Sequence, residues 1–244
     1  MLAIFKKDIK SYFTTGTGYI FLAISLFLSG FLFSINTVLA ATPTSNTAGY
    51  FSILLFLMMI FLPILTMRSF SEEKRTKTDQ LLFTSPVSTI SLVMGKFLSA
   101  FTMFIIYLAL SCLNFIPLFM FTADEASPPN SGLIIGNMLA LVLVGMAFIA
   151  IGIFISSLTE NMFASALITI AVIFGFLMID GFNGIFSSSK LYILRFVLSW
   201  LSVLSRYASF TNGYFDIAAL IYYFSITGLF IFLTERVFKA KRLS

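Results

Sequence analysis

Long blocks of apolar residues, separated by short polar stretches, dominate the pattern along this chain. A helix rises 1.5 Å per residue, so about 20 consecutive apolar residues cross the hydrocarbon core of a bilayer. Six blocks reach that scale, at 18–39, 50–67, 97–121, 133–158, 162–179 and 217–233, and each predicts a membrane-spanning helix. Within the blocks apolar residues follow one another directly. A barrel strand with one face on a lumen would alternate with a period of two, so a β-barrel is excluded. The predicted fold class is all-α integral membrane, with six transmembrane helices in a single domain over 1–244.

Two segments outside the blocks carry a pattern of their own. Before the first block, Leu2, Phe5, Ile9, Tyr12 and Phe13 share one helical face, while Lys6, Lys7, Lys10 and Ser11 lie opposite and Ile4 falls off the stripe. This predicts an interfacial amphipathic helix over 1–15, apolar face in the acyl boundary and lysines toward anionic headgroups. A bare topological anchor is the plainer alternative. Between 180 and 216, Gly181, Asn183, Gly184 and a serine triplet break the helix, and 191–204 resumes an apolar stretch containing Arg195. That stretch is too short to cross, so 180–216 is predicted to be a re-entrant or interfacial region.

Composition agrees with lipid as the solvent: 59% of the residues are hydrophobic, 10% are charged, and the mean hydropathy is +1.02. The net charge of +5 does not point to nucleic acid, because the charges cluster beside the spans. With six spans both termini share a side. That side collects Lys6, Lys7, Lys10, Arg68, Lys74, Arg75, Lys77, Lys96, Arg236, Lys239, Lys241 and Arg242, leaving only Lys190, Arg195 and Arg206 for the other. The positive-inside rule therefore places both termini in the cytosol. A cleaved signal peptide ending near Val38-Leu39-Ala40 fits less well, since the block before it is longer than a usual signal core. The lone cysteine, Cys112, excludes disulfides and thiolate metal sites within one chain.

Several chemistries find no residues to carry them. Ion-driven transport needs titratable groups near the midplane. The chain has no histidine, and Asp180, Glu160 and Lys96 stand near span ends, where they are expected to reach water or headgroups. No nucleophile and base pair at membrane depth, so no catalytic residue is assigned. Ser111, Asn114, Asn36 and Asn137 are expected to bond between helices rather than line a polar path. Pro63 and Pro117 each remove a backbone donor inside a span, and kinks that serve packing are expected there. Gly95-Lys96-Phe97 lacks the first glycine of a phosphate-binding loop, so no nucleotide, cofactor or metal site is expected in this chain.

The most polar stretch is 68–96, which opens Arg68-Ser69-Phe70-Ser71-Glu72-Glu73-Lys74-Arg75. Acidic residues ahead of basic ones suit the dipole of a short surface helix. Leu81-Leu82-Phe83 then puts bulky apolar groups on the same segment, and exposed groups of that kind need a partner. Ser85-Pro86 stops it.

These residues resemble the permease subunits of ABC-2-type transporters: Arg68, Glu72-Glu73-Lys74-Arg75, Thr78, Leu81-Leu82-Phe83-Thr84-Ser85-Pro86-Val87, then Gly95-Lys96-Phe97. The likeness is closest to the gliding-motility-type permeases. It extends to the Phe5-to-Phe13 start and to a late Phe210, Gly213, Asp216, Tyr222-Tyr223 pattern. The chain departs from it at Lys77 in place of a glycine, at Thr15-Gly16-Thr17-Gly18 in place of Ser-Pro, and near Tyr207, where a histidine is expected. The resemblance implies that 68–88 is a coupling segment, with Glu72, Glu73, Lys74, Arg75, Thr78, Leu81 and Leu82 docking a separate ATPase subunit that binds ATP and magnesium. It implies an interfacial helix marked by Phe5, Lys6, Lys7, Ile9 and Tyr12. It further implies a second permease subunit, identical or not, and export across a bacterial inner membrane or work on an envelope-side substrate; the region 180–216 is then expected either to cap the outer mouth or to contact an extracytoplasmic partner. A non-transporting scaffold or immunity component that recruits an ATPase through the same loop is the alternative.

Overall fold

A computed structural model describes residues 1–38, 48–78, 88–116, 131–185, 202–211 and 216–243. Among them are nine α-helices and no strand. They are α1 (Leu2–Thr14), α2 (Thr17–Phe33), α3 (Ala48–Thr66), α4 (Arg68–Arg75), α5 (Thr89–Ser111), α6 (Ser131–Leu158), α7 (Met162–Ile185), α8 (Val203–Thr211) and α9 (Ile217–Leu243). Six helical stretches are long and apolar enough to cross a membrane: Thr17–Asn36, Gly49–Arg75, Thr89–Asn114, Ser131–Leu158, Met162–Ile179 and Ile217–Arg242. In lipid every backbone donor and acceptor must be satisfied within the protein, and continuous helices do this without neighbours.

Helix α6 is the axis of the bundle. Its 28 residues span about 42 Å at 1.5 Å per residue, and it is the most buried of the spans. Helices α3, α4, α5, α7, α8 and α9 all pack on it, while α2 lies outside against α1, α3 and α5. The outer faces of α2, α7 and α9 expose Phe27, Ile24, Phe163, Leu167, Ile221 and Phe224, as suits hydrocarbon on that side.

Three boundaries differ from the sequence expectation. Helix α5 begins at Thr89, eight residues before the apolar block, with Ser88 in an extended conformation at its start. Lys96 therefore lies inside a helix rather than at a span end. Helix α9 runs past the apolar block to Leu243, which carries Phe238 back into the bundle. Helix α7 continues through Gly181 and Asn183 to Ile185. A glycine inside a helix costs only about 1 kcal/mol, so an established helix passes through it. Pro63 lies inside α3 and the helix continues beyond it, with the Met67 N–H donating to Pro63 O at 2.8 Å. Pro117, most of 191–204 and the serine triplet fall outside the described residues.

Helix α1 joins α2 through Gly16, whose φ of +72° is a left-handed turn that glycine adopts without steric cost. The inner face of α1 is not quite the predicted stripe. Ile4, Phe5, Asp8, Ile9, Tyr12 and Phe13 are partly buried, whereas Leu2 is 71% exposed. Ile4 belongs to the packed face after all, and the position between Phe5 and Ile9 is an acid.

Candidate coupling site

Helix α4 follows α3 with only Met67 between them, so the charged segment grows directly out of the second span. It is amphipathic at short range. Phe70, Ser71 and Lys74 are buried, while Arg75, Thr76, Lys77 and Thr78 are exposed. The expectation of a surface helix is corrected to this extent: one face of α4 is driven into the bundle by Phe70, which tilts against Phe238 of α9 at 4.5 Å between ring centroids.

A serine on α6 anchors that face. Ser156 Oγ accepts from the backbone N–H groups of Phe70 at 3.0 Å and Ser71 at 3.1 Å, and it donates to Met67 O at 3.2 Å. The first turn of a helix has N–H groups with no partner inside the helix, and here one buried hydroxyl serves two of them. Ser71 Oγ donates in turn to Ser156 O at 3.2 Å and lies 3.2 Å from Thr159 Oγ1. The buried Lys74 ammonium donates to Ser157 O. Two adjacent serines at the end of α6 thus hold α4 through its backbone and its lysine.

On the opposite flank lies an ionic cluster that draws in α1 and α5. Lys96 is 3% exposed, contrary to the expectation that it reaches water or headgroups. Its ammonium lies 2.9 Å from Glu73 Oε1 and 3.6 Å from Asp8 Oδ2, donates to Ser69 O at 2.5 Å, and sits 4.9 Å over the Phe70 ring. A buried cation with two carboxylates and a carbonyl is the arrangement that makes its burial tolerable. The exposed Lys7 approaches Glu73 Oε1 at 3.4 Å. Burial pushes the Asp8 carboxyl above its usual range, and Glu73 adds to that rise while Lys96 and Lys7 oppose it. Burial likewise raises the Tyr12 phenol, whose hydroxyl donates to Leu65 O at 3.3 Å.

Close contact lets α1 reach this cluster. A Cβ on Gly95 would stand 3.0 Å from Ile4 Cγ2 and 3.3 Å from Met1 O, so any larger residue there would push α1 outward by a few tenths of an ångström or more. Arg68 and Glu72 form a two-pronged pair at the root of α4, with Nε and Nη2 each 2.8 Å from a carboxylate oxygen.

Among the residues expected to dock an ATPase, Glu73 and Lys74 therefore turn inward and Glu72 is held by Arg68. Arg75 and Thr78 are on the surface. Leu81 and Leu82 lie outside the described residues. Of the interfacial-helix residues, Phe5, Ile9 and Tyr12 are on the packed side, and Lys6 and Lys7 are exposed. Asp8 and Ser156 escaped the sequence reading. Asp8 had a usable signal, since an acid between Phe5 and Ile9 interrupts an apolar face; Ser156, in an apolar run, had none.

A second polar contact marks the other end of α6. Asn137 donates to Leu133 O at 2.8 Å and accepts from Tyr207 of α8 at 3.4 Å, and Tyr223 donates to Val203 O at 3.0 Å. Nineteen residues of helix separate Asn137 from Ser156, about 28 Å. Asn114 meets Tyr50 at 3.4 Å, so both asparagines bond between helices as expected, whereas Ser111 and Asn36 bond within their own. The six spans and the apolar surface make the chain a multi-pass membrane protein.

A search of curated proteins gives no match. The family model of the ABC-2 family transporter protein matches residues 33–234, which takes in α4 with its anchors on α5 and α6, and the late tyrosine pair on α9. The chain belongs to the ABC-2 family transporter proteins.

Proposed function

We propose that this chain is the permease subunit of an ABC exporter in a bacterial inner membrane, paired with a second permease subunit and driven by a separate ATPase on the cytosolic face. The observation that carries the reading is the two-sided character of α4. Its last residue, Arg75, and the turn after it, 76–78, are exposed and precede Leu81 and Leu82 in sequence, while its root is bonded to α1, α5 and α6. A push on this exposed tip is passed to three elements at once. A rigid-body displacement, rather than a chemical relay, is the means of coupling.

This division assigns different roles to residues that the sequence groups together. Arg75, Thr78, Leu81 and Leu82 contact the ATPase. Glu73, Lys74 and Lys96 transmit the force, and Asp8 ties the interfacial helix into it. The basic residues of α1, α4 and the end of α9 lie on this same end, which supports a cytosolic placement of both termini. ATP and magnesium belong to the ATPase. The order of motifs along the chain supports a gliding-motility-type permease.

The test is co-purification of an ATPase with the full chain, followed by ATP-dependent transport in vesicles. Arg75→Glu with Leu82→Asp is expected to abolish co-purification while the chain still inserts. An ATPase that stays bound to this variant would overturn the docking assignment. Stable association without any ATP-dependent transport would favour the scaffold alternative.

A further inference from the structure

The polar chamber between α1 and α4 shares a wall with an apolar groove, and we propose that the two together bind a phospholipid whose headgroup carries a primary ammonium. The chamber, about 220 Å³, is lined by Lys7, Asp8, Arg68, Glu72, Glu73 and Lys96. The groove, about 210 Å³, runs between α2 and α3 past Ile20, Ile24, Phe61, Ile64 and Leu65. Tyr12, Thr17 and Arg68 line both. Ile20, Ile24 and Ile64 are exposed on the groove's outer edge, so it opens to hydrocarbon. A polar end adjoining an apolar trough, at the level of an interfacial helix, has the two-part character of a lipid.

Charge selects the headgroup. The chamber lining holds three cations and three acids, so a headgroup with net charge would be left with an uncompensated partner. A zwitterion fits. Arg68 commits Nε and Nη2 to Glu72, which leaves Nη1 as a donor for a phosphate at the groove mouth. Glu73 Oε2 is buried and has no hydrogen-bond partner among the described residues. A buried carboxylate oxygen wants a donor, and a primary ammonium offers three where a trimethylated one offers none. The ammonium therefore sits on Glu73 Oε2, the phosphate by Arg68 and Thr17, and one acyl chain in the groove.

This site shares residues with the proposed coupling cluster but does not require coupling: binding is read on the chain alone, without an ATPase. The full chain, purified in mild detergent, is offered equal amounts of phosphatidylethanolamine, phosphatidylcholine and phosphatidylglycerol of matched acyl chains, and retained lipid is measured by native mass spectrometry. Phosphatidylethanolamine is expected to be retained about tenfold over phosphatidylcholine, the ratio that one charge-assisted hydrogen bond provides. Glu73→Gln should reduce that ratio toward one. Ile24→Trp, at a position 52% exposed and so harmless to packing, should fill the groove and reduce retention of all three. Equal retention of the three lipids, a preference for phosphatidylglycerol, or an unchanged ratio in Glu73→Gln would overturn the proposal. So would efficient crosslinking of Ile24→Cys to a second copy, which would make the groove a protein interface.

Discussion

Replacing Lys96 by methionine removes a buried cation that α1, α4 and α5 share. Methionine keeps the length and apolar stem, so packing changes little and the loss is electrostatic. Removing one partner from a buried ion pair costs about 3–5 kcal/mol, because the remaining charge is left buried without compensation. Here Glu73 and Asp8 would face each other without Lys96. Lys7 still approaches Glu73, but its side chain is 65% exposed and such a pair is worth about 0–1 kcal/mol. The expected cost is therefore near the low end, about 3 kcal/mol. Adding Glu73→Gln to Lys96→Met removes one of the stranded charges and should recover about 1–2 kcal/mol, a coupling that two independent sites would not show. The assay is unfolding of the full chain in detergent, followed by loss of helicity. Lys96→Met within about 0.5 kcal/mol of the unaltered chain would refute the reasoning, as would additive effects in the double variant.

Four further outcomes follow from the same contacts. Ser156→Ala strands the Phe70 and Ser71 N–H groups and should cost about 1–3 kcal/mol, whereas Ser157→Ala, which keeps its backbone acceptor for Lys74, should cost less; the same unfolding assay ranks them. Gly95→Leu should push Ile4 and the start of α1 away from α5, which limited proteolysis near Lys6 and Lys7 would detect as faster cleavage; unchanged cleavage would count against the close contact. Asp8 has a raised folded-state pKa, so its proton is held more tightly in the packed state. Its contribution to α1 packing is fully present below the ordinary carboxyl range and lost as pH rises through the raised value; protease protection of α1 should follow that window, and Asp8→Asn should flatten it. Tyr207→Phe, at the far end of α6, should cost only about 0.6–2 kcal/mol and leave ATPase binding intact, since it breaks a single interhelical hydrogen bond about 28 Å from α4.

The spans were legible because lipid imposes one simple demand, an apolar run of sufficient length, and hydropathy reads that demand directly. The charged segment after the second span was legible for the complementary reason, as the most polar interruption. What hydropathy cannot read is which polar residue faces inward. Lys96 looked like a span-end lysine because the apolar block starts at Phe97, yet the helix starts at Thr89 and Gly95 lets α1 close over it. Glu73 and Lys74 looked like a solvated face because their neighbours are charged, and only the tertiary anchors Phe70 and Ser156 turn them in. Phe238 lies beyond the last apolar block, among basic residues, so nothing local announced that it meets Phe70 across the bundle.

The central claim is that the buried cluster carries force from the tip of α4 into the membrane helices. The most direct measurement is the ATPase rate of the partner subunit reconstituted with this chain in vesicles, comparing Glu73→Lys, Lys96→Glu and the two together. Each single reversal places like charges about 3 Å apart and should leave the complex assembled but remove the permease-dependent part of the rate. The double reversal should restore much of it. Single variants that keep the full permease-dependent rate, with the ATPase bound, would contradict the account.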